Sequence, residues 1–136
     1  MKQERSYDPV PPSLNELTHT VIGAAIEVHR WLGPGYLETL YEEALHIELR
    51  LRGIPFESQV AVSIPYKGHV VGRSQLDLVV ANELIVELKA VETVLEIHRA
   101  QVLSYLRATG SRLGLLINFN TPCLRDGVRR VIWDPE

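Results

Sequence analysis

Between Gln75 and Val91 the chain reads QLDLVVANELIVELKAV, two short apolar runs with Asp77, Glu87 and Lys89 set inside them at even spacing. Successive side chains of a β-strand point to opposite faces, and residues two apart share one. The second run therefore divides into Leu84, Val86, Leu88 and Ala90 on one face and Ile85, Glu87 and Lys89 on the other. The first run places Leu76, Leu78 and Val80 on one face, with Asp77 and Val79 opposite. If Ala81, Asn82 and Glu83 make a three-residue loop, with Asn82 or Glu83 in the left-handed region, Asp77 stands opposite Glu87 on the same face. A two-residue loop separates them onto opposite faces.

Two carboxylates facing each other in a sheet repel, and a half-buried one carries a desolvation cost unless something positive lies between them. A divalent cation resolves both problems, so the stretch reads as a metal site on a β-hairpin. The competing reading is an exposed Glu87–Lys89 ion pair on an edge strand, with Asp77 capping a turn. The apolar character of both runs favours the metal site.

The rest of the chain supplies one domain around this hairpin. Its 136 residues, 46% hydrophobic and 23% charged, suffice for one core. No run of about 18 apolar residues is present to span a bilayer, and the opening MKQERSYDPVPPS lacks the apolar centre of a secretion signal. A cytoplasmic protein without membrane association is expected. The single cysteine, Cys123, forms neither an internal disulfide nor a cysteine zinc site, and the five histidines show no paired ligand spacing. A net charge of −3 argues against a simple DNA-binding module. It argues less against a nuclease, which needs its own acids for metal. Arg73, Lys89, Arg99, Arg107, Arg112, Arg129 and Arg130 lie late in the chain and Glu42, Glu43 and Glu48 early, which allows an asymmetric surface.

Residues 1–12 read as a mobile or loosely docked tail and 13–136 as the folded domain. Ser13 with Glu16 resembles a capping box opening an amphipathic helix that runs to Gly33. Gly33-Pro34-Gly35 breaks the chain, and a second helix, marked by Leu37, Leu40, Tyr41, Ala44, Leu45 and Leu49, ends near Gly53. Glu38 falls on the stripe of that helix that ought to face the core, unless its place in the first turn suffices to explain it. Phe56–Tyr66, the stretch from His69 to the Asp77 strand, and Leu84–Ala90 form a three-stranded meander. Leu95–Ala108 is a third helix closed by Gly110, with His98, Gln101 and Tyr105 as a polar stripe. Leu113–Asn118 is a buried strand, and Val128–Trp133 follows an Asp126-Gly127 turn signal. The order is α-α-β-β-β-α-β-β, an α/β (α+β) fold with a mixed sheet flanked by helices.

These residues together resemble the PD-(D/E)XK nuclease superfamily, with Asp77 as the first acid and Glu87-x-Lys89 as the acid-x-lysine. More narrowly, Gly35-Tyr36-Leu37-Glu38-Thr39-Leu40-Tyr41 is similar to the pattern of the GxxExxY group, as are the ELKAV, QVLSYL and GLLINF segments and Arg129-Arg130-Val131-Ile132. Leu76 stands where the superfamily's name-giving proline would be. The resemblance implies a restriction-endonuclease-like core and a nuclease dependent on Mg2+ or Mn2+, acting on nucleic acid, with DNA expected. It implies metal ligation by Glu38, Asp77 and Glu87, with Lys89 and Gln101 completing the catalytic set. Tyr41, Arg73, His98 and Tyr105 are candidates for substrate contact. Two further readings stand beside this one: a non-catalytic module that keeps the fold to bind nucleic acid or protein, and a subunit active only as a homodimer or with an accessory protein.

Overall fold

The computed structural model describes residues 10–135. Two helices come first, α1 (Pro12–Leu32) and α2 (Glu38–Leu51). The antiparallel strands β1 (Phe56–Tyr66), β2 (His69–Val80) and β3 (Leu84–Lys89) follow. Helix α3 (Glu96–Thr109) crosses to β4 (Leu113–Asn118), which runs parallel to β3, and a one-turn 3-10 helix (Leu124–Gly127) leads into antiparallel β5 (Val128–Ile132). The sheet order β1-β2-β3-β4-β5 is a mixed five-stranded sheet in the expected sequence of elements, consistent with a restriction-endonuclease-like fold. Among the described residues no helix is long and apolar enough to cross a membrane.

Helices lie on both sides of the sheet because its central strands are apolar on both faces. On one side Val21, Ala25 and Val28 of α1 and Tyr41, Leu45 and Leu49 of α2 pack on Leu78, Val86, Leu88, Leu115 and Ile117. On the other, Val102, Tyr105 and Leu106 of α3 pack on Leu76, Ile85, Leu116 and Val131. β4 is buried along its whole length, as its near-continuous apolar run implies. Gly114 lets α3 approach, since a Cβ there would lie 2.7 Å from Cγ1 of Val102 and 3.4 Å from the carbonyl oxygen of Ile85.

Three details depart from the sequence reading. Residues 1–9 of the expected tail lie outside the described residues, but Val10 is buried in the first core and α1 already begins at Pro12. The Ser13–Glu16 capping box does not form, because Ser13 is inside the helix and its first N–H groups meet the carbonyl of Pro11 instead. The third concerns the expected common face of Leu76, Leu78 and Val80. Leu76 packs on the α3 side, whereas Leu78 and Val80 pack on the α1–α2 side. β1 switches at the same level, with Phe56 toward α1 and α2 but Val60 and Val62 toward α3. The cause is Gln59, whose φ of 51° takes it out of the extended region beside Asp77. Strict two-residue alternation holds only for regular strand backbone, so Gln59 and Asp77 mark where the hairpin rolls from one layer to the other.

The packing of Gly114 generates a first expectation. Gly114→Ala should keep the fold but lower its stability by about 1–3 kcal/mol, the usual cost of adding a methyl group to a filled core. Urea unfolding of the variant against the parent protein measures this directly.

Candidate active site

The site begins where β2 and β3 part. Their ladder pairs Val80 with Leu84, Val79 with Ile85 and Leu78 with Val86, around the three-residue loop Ala81–Glu83. Ala81 and Asn82, rather than Glu83, take the left-handed conformations, with φ of 52° and 58°. Continuing the register brings Asp77 opposite Glu87, but there side chains replace the backbone ladder. The Asp77 N–H donates to Oε1 of Glu87 at 3.0 Å, and the Leu88 N–H donates to Oδ2 of Asp77 at 2.8 Å. Each carboxylate thus satisfies a main-chain donor on the opposite strand. A buried N–H without a partner is costly, so the exchange lets the strands diverge without losing their hydrogen bonds.

Electrostatically the pair is strained. Glu87 is only 5% exposed. Burial first and the neighbouring Asp77 second push its pKa up to about 8, against partial relief from the Asp77 N–H and from Lys89. Glu38, the first residue of α2, is also held above the usual carboxylate range, by loss of water and then by Asp77, with Lys89 acting in the opposite direction. The structure therefore brings Glu38, Asp77, Glu87 and Lys89 into one electrostatic neighbourhood. Lys89 is half-buried on the last residue of β3 and forms none of the ion pairs among the described residues.

Glu38 owes its position to the loop before it. Gly35, at φ 108°, allows the turn. Tyr41 locks it, because its hydroxyl donates to the Gly33 carbonyl at 2.6 Å and accepts the Tyr36 N–H at 3.1 Å. The Tyr41 ring is fully buried and stacks on Phe119 with centroids 4.6 Å apart. Tyr41 thus corrects the expectation of substrate contact: its ring and hydroxyl are committed to the core and to the loop that presents Glu38.

The other expected residues lie further out. Gln101 and His98 line a groove of about 520 Å3 between α3 and the outer part of β1 and β2, together with Ile64, Ser74 and Tyr105. His98 caps α3, its Nδ1 accepting the Leu95 N–H at 3.0 Å. Tyr105 joins this groove to the acids: its hydroxyl pKa is raised by burial and by Glu87, and opposed by a hydrogen bond to Ser74. Arg73 is exposed on β2, four residues before Asp77.

Two residues escaped the sequence reading. Asn118, 2% exposed at the end of β4, accepts the Val91 N–H at 3.0 Å and donates to the Val91 carbonyl at 2.9 Å, fixing the chain two residues beyond Lys89. The signal for it was a polar side chain closing an otherwise apolar strand. Gln59 donates to Glu42 of α2 at 2.8 Å while setting the switch beside Asp77, and nothing in its sequence context marks it.

Asp77 and Glu87 offer hard oxygen donors, and a cation would relieve the destabilised charge on Glu87, so the pair fits an oxygen-preferring divalent ion. The fit is partial, since among the described residues no three histidine, cysteine, aspartate or glutamate side chains sit close enough together to hold a metal. A hydrated ion held by two carboxylates, with Glu38 at longer range, is the arrangement these residues allow.

A family model for the PD-(D/E)XK nuclease superfamily matches residues 15–131. No curated protein matches the chain.

The raised pKa of Glu87 carries a sign. Between its ordinary value near 4.5 and about 8 the folded protein binds a proton that the unfolded chain has released, so stability falls as pH rises through that window. Glu87→Gln removes this dependence. In chelator, the variant should gain on the parent protein in thermal unfolding as pH rises from about 5 to about 9; parallel pH profiles would show that Glu87 ionises normally.

Proposed function

The chain belongs to the PD-(D/E)XK nuclease superfamily, and on that premise we propose that it is a divalent-metal-dependent nuclease whose substrate is DNA. Superfamily membership implies a nucleic-acid substrate, and these nucleases generally use divalent metal ions. Within the superfamily we place it in the GxxExxY group, on Gly35, Glu38 and Tyr41, whose parts in one loop give that spacing a physical reason. The observation that carries the catalytic reading is the Asp77–Glu87 pair, half-buried at Asp77 and buried at Glu87, mutually repelling and exchanged across the hairpin. Such an arrangement costs stability and gains its sense from a cation and a phosphate.

Asp77 and Glu87 would hold the ion, Mg2+ or Mn2+, with Glu38 joining from α2. When bound, the ion supplies positive charge to a phosphate oxygen and acidifies a water. Lys89 stands beside these acids, where its ammonium would stabilise negative charge on the scissile phosphate or, once deprotonated to the neutral amine, would take a proton from the attacking water. It is the last residue of β3, and Asn118 fixes the main chain two residues beyond. Gln101 and His98, on the first turns of α3, and Tyr105, a turn further on, line the groove through which a strand would reach the pair.

One observation favours a second reading, a module that binds nucleic acid or protein without cutting it: the absence of a three-ligand cluster among the described residues. Calorimetric titration with Mn2+ separates the two, since heat of binding that Asp77→Ala abolishes belongs to the catalytic reading.

The direct test incubates the protein with linear, branched and single-stranded DNA, and with RNA, in Mg2+ or Mn2+. Cleavage is expected, and Asp77→Ala, Glu87→Gln and Lys89→Ala should each lower its rate by roughly 100-fold or more. Cleavage that persists undiminished in Asp77→Ala would belong to a contaminant and end the proposal.

A further inference from the structure

Beyond the Gln59–Asp77 switch, β1 and β2 continue outward as a two-stranded ribbon. One face leans on α3 through Val60, Val62 and Leu76. The other is exposed, built from the directly opposed pairs Ala61 with Gln75 and Ser63 with Arg73. At the tip the support ends: Tyr66 and Val70 are 59% and 63% exposed, and the Lys67 ammonium sits 5.5 Å from the centre of the Tyr66 ring. In a chain with 17 acids and a net charge of −3, no acid occurs between Glu57 and Asp77, while Lys67 and Arg73 both do. The ribbon is therefore a locally basic arm with small and polar side chains on its open face, running away from an acidic site.

Its reach is set by strand geometry. Ten residues separate Asp77 from Lys67, and at about 3.3 Å per residue the arm extends roughly 30 Å. A turn of duplex rises about 34 Å, and a two-stranded ribbon is narrow enough to enter a major groove. Resting on the nuclease reading, we propose that this arm grips the duplex flank of the substrate, so that the protein holds double-stranded DNA over nearly one helical turn from the phosphate it attacks. Away from the tip, where Tyr66, Val70 and Val71 are exposed, the open face carries Ala61, Ser63, Arg73 and Gln75 and no acid, which suits phosphates and base edges better than a second copy of the chain.

The test measures binding in chelator, by fluorescence anisotropy, to labelled duplexes of about 8 and about 20 base pairs, the shorter too short to reach the tip from the site. The wild type should prefer the longer duplex. Lys67→Glu, at the tip, should lose several-fold on the longer duplex, change little on the shorter, and reduce the salt dependence by about one phosphate contact. Lys67→Gln should show the same length-dependent loss on a smaller scale, and Arg30→Glu, on α1, should leave both duplexes unaffected. Thermal unfolding of each variant verifies the fold. Equal losses on both lengths, or none, would overturn the arm while leaving the nuclease intact. A wild type that binds neither duplex and cleaves nothing would sink the nuclease reading itself. Sedimentation showing a wild-type dimer that Lys67→Glu abolishes would make the arm a contact between copies, and overturn the proposal.

Discussion

Everything distinctive in this protein follows from two hydrogen bonds that a β-ladder would not ordinarily contain. Where β2 and β3 diverge, the main-chain donors of Asp77 and Leu88 are satisfied by the carboxylates of Glu87 and Asp77, each reaching across to the other strand. The strands open without orphaning a donor, and two acids are drawn together in a place where water is scarce. Removing either side chain would unpair a backbone group as well as delete a charge. Structural and chemical roles are therefore fused in the same atoms, and loss of activity in a variant has to be read beside its stability.

The surroundings oppose this pair and support it at once. Glu87 is buried against its own ionisation, and only Lys89 and the Asp77 N–H offset the cost. α2 brings a third acid, Glu38, into the same field rather than a balancing cation. The remainder of the fold is tightly settled, with β4 buried from end to end and helices on both faces. Electrostatic conflict concentrated at one end of one hairpin is how functional sites commonly stand out.

Much of this could be read from residue order. Period-two spacing gave the hairpin its strands, the number of residues between Val80 and Leu84 put Asp77 opposite Glu87, and Gly110 closed α3 in the left-handed region as its place in the pattern suggested. Alternation failed at Leu76 because its side depends on Gln59, a residue on another strand in a conformation that no local rule assigns to glutamine. Tyr41 was misplaced because an aromatic residue one turn beyond an acid looks the same whether it faces substrate or holds a loop; its bonds to Gly33 and Tyr36 decide the matter. The expected cap at Ser13 gave way to Pro11, since proline fixed the start of the helix earlier and Val10 found a place in the core. Asn118 was overlooked because the contact that matters joins residues 27 positions apart.

Among the described residues β1 lies at the rim of the sheet, with β2 as its neighbour on one side and no strand on the other. A straight rim would offer a row of free main-chain donors and acceptors on which a stray chain can build. Here the left-handed Gln59 turns that row partway along, and Pro65, where the register slips, removes a donor near the tip. The bend that brings the hairpin to its acids thus also interrupts the straight template on which amyloid-like growth would build.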